Sequence, residues 1–248
     1  SLWGMGIASR DLTGDQRDEL MLTSMGDQLM QVAQADGSYR GAPYDIGTYA
    51  QRPYVPGDGR PSTGWHASFA DVNNDGRADL FIAKGNVDQM PGMAMRDPNN
   101  LLIQGEDGRF TEVGDTAGVA DIARSRGAAL ADFDGDGLLD LAVVNRRAPM
   151  RMYRNVTPEA GRFVRIAVRG AGGNRFAVGA RVIVMVGDAV QSQQITIGGG
   201  HAGAVLAPLH FGIGDAAEAT VQVRWPDGTQ SDPMRVTAGD QITVTQPD

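Results

Sequence analysis

Three times, at spacings of 60 and 61 residues, the chain places oxygen-bearing side chains at positions 1, 3, 5 and 9 of a short loop and follows them with an apolar run. The loops are DLTGDQRDEL from Asp11, DVNNDGRADL from Asp71 and DFDGDGLLDL from Asp132. The apolar runs are LMLTS, LFIAKG and LAVVNR. Each is followed by a second run (QLMQVA, NLLIQG, MRMYRN) and by a turn before an aromatic (DGSY, DGRF, AGRF). A period of this length marks propeller blades or arrays. Loop, strand, linker, strand, turn and strand is the order of a four-stranded blade.

Like charges crowded beside a strand need an ion. Calcium takes six to eight oxygens at roughly 2.3–2.6 Å. In the third loop the side chains of Asp132, Asp134, Asp136 and Asp140, with the carbonyl of Leu138, form such a set. In the second they are Asp71, Asn73, Asp75 and Asp79, with the carbonyl of Arg77. The first loop offers Asp11, Thr13, Asp15 and Glu19, with the carbonyl of Arg17. It is the weaker candidate, because Gln16 stands where the other loops have a turn glycine. Two calcium sites are expected, with loop one as a third candidate. None is an EF-hand, which needs a bidentate Glu at position 12; that position holds Leu22, Ile82 or Val143.

The formal charge of −8 argues against a nucleic-acid partner. There are no cysteines, so disulfides and thiol chemistry are excluded. No apolar run reaches the roughly 18 residues of a membrane helix.

The three units resemble FG-GAP/VCBS repeats, calcium-loop blades also found in integrin α-subunit propellers, over about residues 1–155. From residue 160 the loops stop, and strand-like runs follow: RFVRIAVRG, ARVIVMVGD, QSQQITIGG, ATVQVRWPDG and QITVTQ. NRFAVGARV, HFGIG and WPDG resemble the ASPIC/UnbV domain, with GGGHAG (198–203) a looser match. The expected fold is all-β: a partial propeller of about three blades over 1–159, then a small antiparallel β-sandwich-like domain over 160–248. The resemblance implies an extracytoplasmic location, as periplasmic, cell-surface or secreted proteins have.

Other motifs carry less. GIGDAA (212–217) matches a GxGxxA dinucleotide fingerprint but lacks the strand–helix context that gives it force. His66, His201 and His210 are expected in structural hydrogen bonds. Met90, Met93 and Met95 lie in an insertion of about ten residues in repeat two and suit a protein contact. Asn155-Val156-Thr157 matches a glycosylation sequon.

Three blades fall short of the four to eight of a closed propeller. No strand with a DGxF turn precedes Asp11, so the first blade is expected to lack its opening strands. The chain is therefore expected to continue a longer propeller or to dock its open edge on another protein. The function expected is that of a calcium-stabilised, non-catalytic binding or structural subunit with a protein partner. The alternatives are a metal-dependent carbohydrate-active enzyme of lyase or dehydratase type, and a glycan-binding lectin.

Overall fold

The structure, a computed structural model, describes residues 3–49, 60–87, 94 and 96–247. Met90, Met93 and Met95 lie outside the described residues. Described residues form strands and one 3₁₀ turn, with no α-helix among them. The all-β expectation holds.

The first sheet is a four-stranded meander of β1 (Gly4–Arg10), β2 (Glu19–Ser24), β3 (Leu29–Ala33) and β4 (Tyr39–Gly41). The second repeats it with β5 (Gly64–Ala70), β6 (Asp79–Lys84), β7 (Asn100–Gln104) and β8 (Phe110–Glu112). The third has three strands, β9 (Ser125–Ala131), β10 (Asp140–Asn145) and β11 (Arg151–Tyr153). The sheets stack face to face, as the blades of a partial propeller do. Met21, Met30, Leu80, Ile82 and Leu102 fill the space between blades one and two. Phe81, Ala83, Leu141 and Val143 fill that between two and three.

Two sequence expectations are corrected. Blade one does not lack its opening strand, because β1 precedes the first loop and pairs with β2. Each loop joins a blade's first strand to its second. The first strands read GMGIASR, GWHASFA and SRGAALA. They are rich in Gly, Ala and Ser because they crowd one another: a Cβ on Gly6 of β1 would stand 2.3 Å from the Trp65 carbonyl oxygen of β5. The second correction concerns AGRF, which does not close blade three. Phe163 belongs to β12 (Arg162–Arg169), which pairs with β15 (Leu209–Gly214) and β18 (Gln241–Thr245) instead. These neighbours offer long ladders on both sides and bury Val164 and Ile166 in another core; β11 spans only three residues.

That other core lies between β15-β12-β18 and a sheet ordered β14 (Ala189–Gln194), β13 (Arg181–Val186), β16 (Glu218–Arg224) and β17 (Met234–Thr237). Val164, Ile166, Phe211 and Ile213 on one side meet Val182, Val184, Val221, Val223 and Trp225 on the other. This is sheet-on-sheet packing with alternating inward residues. One pairing, β12 with β18, is parallel rather than antiparallel as expected.

The second unit sits on the loop end of the blades. The segment 198–203 runs across their first strands. The Gly200 amide donates to the Ile7 carbonyl at 3.0 Å, and a Cβ on Gly127 would stand 2.0 Å from the Ala202 carbonyl oxygen.

Candidate metal centre

The three loops share one backbone. Position 4 is left-handed in each (Gly14 φ 77°, Asn74 58°, Gly135 81°), and so is position 6 (Gln16 65°, Gly76 88°, Gly137 94°). Glycine tolerates such angles best, and Asn better than most residues. Loop one therefore closes like the others despite Gln16, which adopts the same conformation at a cost in strain. The need at position 4 was missed in the sequence, although Gly, Asn and Gly stand there.

Position 1 organises each loop. Asp11 accepts from the amides of Gly14 (2.8 Å) and Gln16 (3.0 Å). Asp71 accepts from Asp75 (3.1 Å) and Gly76 (2.8 Å), and Asp132 from Gly135 (2.6 Å) and Gly137 (2.9 Å). The position-5 carboxylates of Asp15, Asp75 and Asp136 each accept from the amide two residues on.

Position 9 does something spacing did not reveal. Asp79 accepts from the Val72 amide at 3.0 Å and, on its other oxygen, from the Gln104 amide of β7 at 2.9 Å. Asp140 joins Phe133 to Asn155 in the same way, and Glu19 joins Leu12 to Ala33. This carboxylate thus fastens the loop to the blade's outer part, whatever else it binds. Asn155 itself donates to the carbonyls of Val72 (2.7 Å) and Leu139 (3.1 Å), bridging loops two and three. Its amide is committed there, so the sequon match has a structural explanation.

The sets differ in burial. Asp132, Asp134 and Asp136 bring carboxylate oxygens within 4.8 Å of one another, the one such triad of candidate metal ligands among the described residues. Loop two is more enclosed. Burial pushes Asp79 up to about 8; burial, then the nearby Asp75 charge, pushes Asp71 up to about 6. Left without a cation, such groups take up protons. An all-oxygen set under this strain fits a hard divalent ion. Guanidinium groups supply part of the missing charge. Arg17 reaches Asp15 at 2.7 Å and Arg77 reaches Asp75 at 2.6 Å. In loop three, where position 7 is Leu138, Arg154 reaches Asp134 and Asp136 from beyond β11. Thr13 and Asn73, the position-3 side chains, stand on the exposed and half-exposed sides of their loops.

The C-terminal sheets engage all three loops. Ser192 Oγ donates to Asp11 at 2.6 Å, and Arg165 to Asp132 at 2.7 Å. His210 Nε2 meets Asn74 Oδ1 at 2.6 Å, and Arg181 pairs with Asp18 at 2.8 Å. Gly212 packs on loop two, where an added Cβ would meet Asp71 Oδ2 at 2.1 Å. That close approach accounts for Gly212, and a left-handed φ of 56° for Gly214, the two glycines of GIGDAA.

The rings of His201 and His210 do not converge. His201 packs its ring on Trp65 with centroids 5.2 Å apart, while His210 stacks on Phe163 at 5.3 Å. His66, buried, meets the His201 carbonyl at 3.0 Å and Ser68 Oγ. Structural hydrogen bonding describes all its polar contacts.

Residues 170–248 match the family model described as ASPIC and UnbV, and residues 92–143 match that of an FG-GAP-like repeat. The second match contains loop three alone. Among curated proteins the chain is similar to cartilage acidic protein 1 of Mus musculus, 28% identical over 163 residues, covering 64% of this chain and 25% of the relative. The Homo sapiens protein of that name is 28% identical, with 64% and 24% covered. That of Xenopus tropicalis is 31% identical over 109 residues, with 42% and 17% covered. The aligned part spans about a quarter or less of these relatives.

Proposed function

From a chain that joins an FG-GAP-like repeat to an ASPIC and UnbV domain, we propose a calcium-loaded, extracytoplasmic, non-catalytic subunit that binds a protein partner through the outer faces of its first and third blades. The units divide near residues 159 and 160, and the partner is another protein or further blades of a longer propeller.

One observation carries this reading. Leu20, Leu80 and Leu141 are equivalent by loop position, as are Leu22, Ile82 and Val143. In blades two and three these side chains are buried against the preceding blade, whereas Leu20 and Leu22 of blade one are only half-buried. The opposite faces tell the same story. Met21 pairs with Met30 and Phe81 with Leu101, both pairs facing the following blade. Their counterparts in blade three, Ala142 and Met152, face none, and Met152 and its neighbour Val144 are 52% and 51% exposed. Each terminal blade presents the surface that its siblings bury. Apolar sheet faces of this kind mark interaction sites.

The calcium assignment is tested by melting. Chelation is expected to lower the melting temperature by a few degrees, since two sites at tenfold excess ion add roughly 3 kcal/mol. Calcium restores it better than magnesium, which demands stricter geometry. The effect depends on pH. Without calcium, folded Asp71 and Asp79 hold protons that the unfolded chain has lost, so stability falls as pH rises from about 4 through about 8. Calcium replaces those protons, so its stabilisation is larger at about pH 8 than at about pH 6. A melting temperature indifferent to EDTA at both values contradicts the assignment.

A further inference from the structure

Blade three stops one strand short. Blades one and two each carry a fourth, outer strand, whereas the third sheet ends at β11. The register shows what is missing. Ala33, Gln104 and Asn155 are equivalent, because the amide of each donates to the position-9 carboxylate of its blade. Ala33 pairs with Tyr39 and Gln104 with Phe110. Among the described residues, no strand stands opposite Asn155. The next aromatic in the chain, Phe163, is taken by β12 instead.

Phe110 shows where such an aromatic goes. It is 5% exposed and packs with Met30, Leu80 and Leu102 in the core between blades one and two. In the next cleft the counterparts of those three are Leu101, Leu141 and Tyr153. They line a cavity of about 580 Å³ between blades two and three, with Val72 where the first cleft has Leu12. The cleft that Phe110 fills in one pair of blades is thus open in the next. β11 therefore combines an unpaired edge with an apolar socket. Strand addition uses this combination: main-chain hydrogen bonds give affinity, and a side-chain pocket selects the sequence. A small apolar molecule would fill the socket and leave the edge unpaired.

We infer that the edge of blade three receives an extended segment of another protein chain. The segment runs antiparallel to β11, with a Phe or Tyr opposite Asn155 and its ring in the cavity. This rests on the reading of a protein partner given above and specifies one of its contacts, through a strand edge rather than a terminal face.

The probe is the synthetic peptide DGRFTEV, the sequence of residues 107–113, titrated into the full chain by NMR. The control is DGRATEV, which lacks the ring. Saturable binding with a Kd below about 1 mM is expected, with DGRATEV at least about tenfold weaker and amide exchange slowed in β11 and at Arg154. Ala117, exposed on the cavity wall, offers a plug: Ala117→Phe is expected to weaken DGRFTEV at least about tenfold. Should that variant fail to fold, the two peptides on the native chain decide. Val144→Glu alters the outer face and not the edge, so it should bind DGRFTEV unchanged. Failure of the face reading and failure of this one are therefore separate results. No saturable binding, equal binding of the two peptides, or slowed exchange confined to other strands would each overturn the inference. So would slowed exchange of β11 in Val144→Glu without peptide, rising with chain concentration, since a second copy would then hold the edge.

Discussion

Asp97→Asn is expected to destabilise the protein by about 3–5 kcal/mol, the cost of breaking a buried ion pair from one side. Lys84, at the end of β6, is 1% exposed, and its Nζ lies 3.3 Å from Asp97 Oδ1. Asp97 also accepts from Ser62 Oγ at 2.6 Å and from the Thr63 amide at 2.8 Å, so one carboxylate ties three chain segments together. Asparagine keeps the shape, removes the charge and leaves a buried ammonium beside a neutral amide. For a chain of this size the loss corresponds to roughly 10 °C in melting temperature. Loop geometry lies elsewhere, so the calcium response should persist in whatever fraction remains folded. A shift under about 2 °C would mean that the pair contributes no more than a surface contact does.

Gly212→Ala is expected to cost about 3 kcal/mol, at the upper end for overpacking, because the obstruction is backbone as well as side chain. The new methyl would meet Asp71 Oδ2 at 2.1 Å and the Asn74 Cα at 2.5 Å. Neither can retreat freely, since Asp71 is bonded to two loop amides and the Asn74 carbonyl accepts from the Gly214 amide at 2.9 Å. Loop two and β15 must part. The distinguishing readout is calcium: the variant should lose affinity at loop two as well as stability. A variant that melts early but binds calcium as before would show that β15 can shift without disturbing Asp71.

The loops were legible in the sequence because oxygen ligands recur at fixed spacing beside strands. The second and third strands were legible because their apolar residues face a neighbouring blade. The first strands were not: crowding selects Gly, Ala and Ser there, and small residues leave no hydrophobic period. Nothing in the sequence pairs Lys84 with Asp97; the fold buries them together. The position-9 carboxylates read as ligands, and their second role, holding Gln104, Asn155 or Ala33, depends on a strand many residues on. Nor did spacing disclose that the C-terminal sheets rest on the loops. Ser192 lies 181 residues from Asp11, and no local pattern relates them.

The central claim, that both terminal blades present faces built to be covered, is tested most directly by sedimentation of the purified chain over a wide concentration range. Faces that carry Leu20 and Leu22 on one side and Val144 and Met152 on the other should find each other when nothing else covers them. The expected result is mass above the 26.2 kDa of one chain, rising with concentration and returning to that value when Val144→Glu places a charge on the outer face of blade three. A wild-type chain that stays a monodisperse monomer at every concentration, with Val144→Glu changing nothing, would contradict the account.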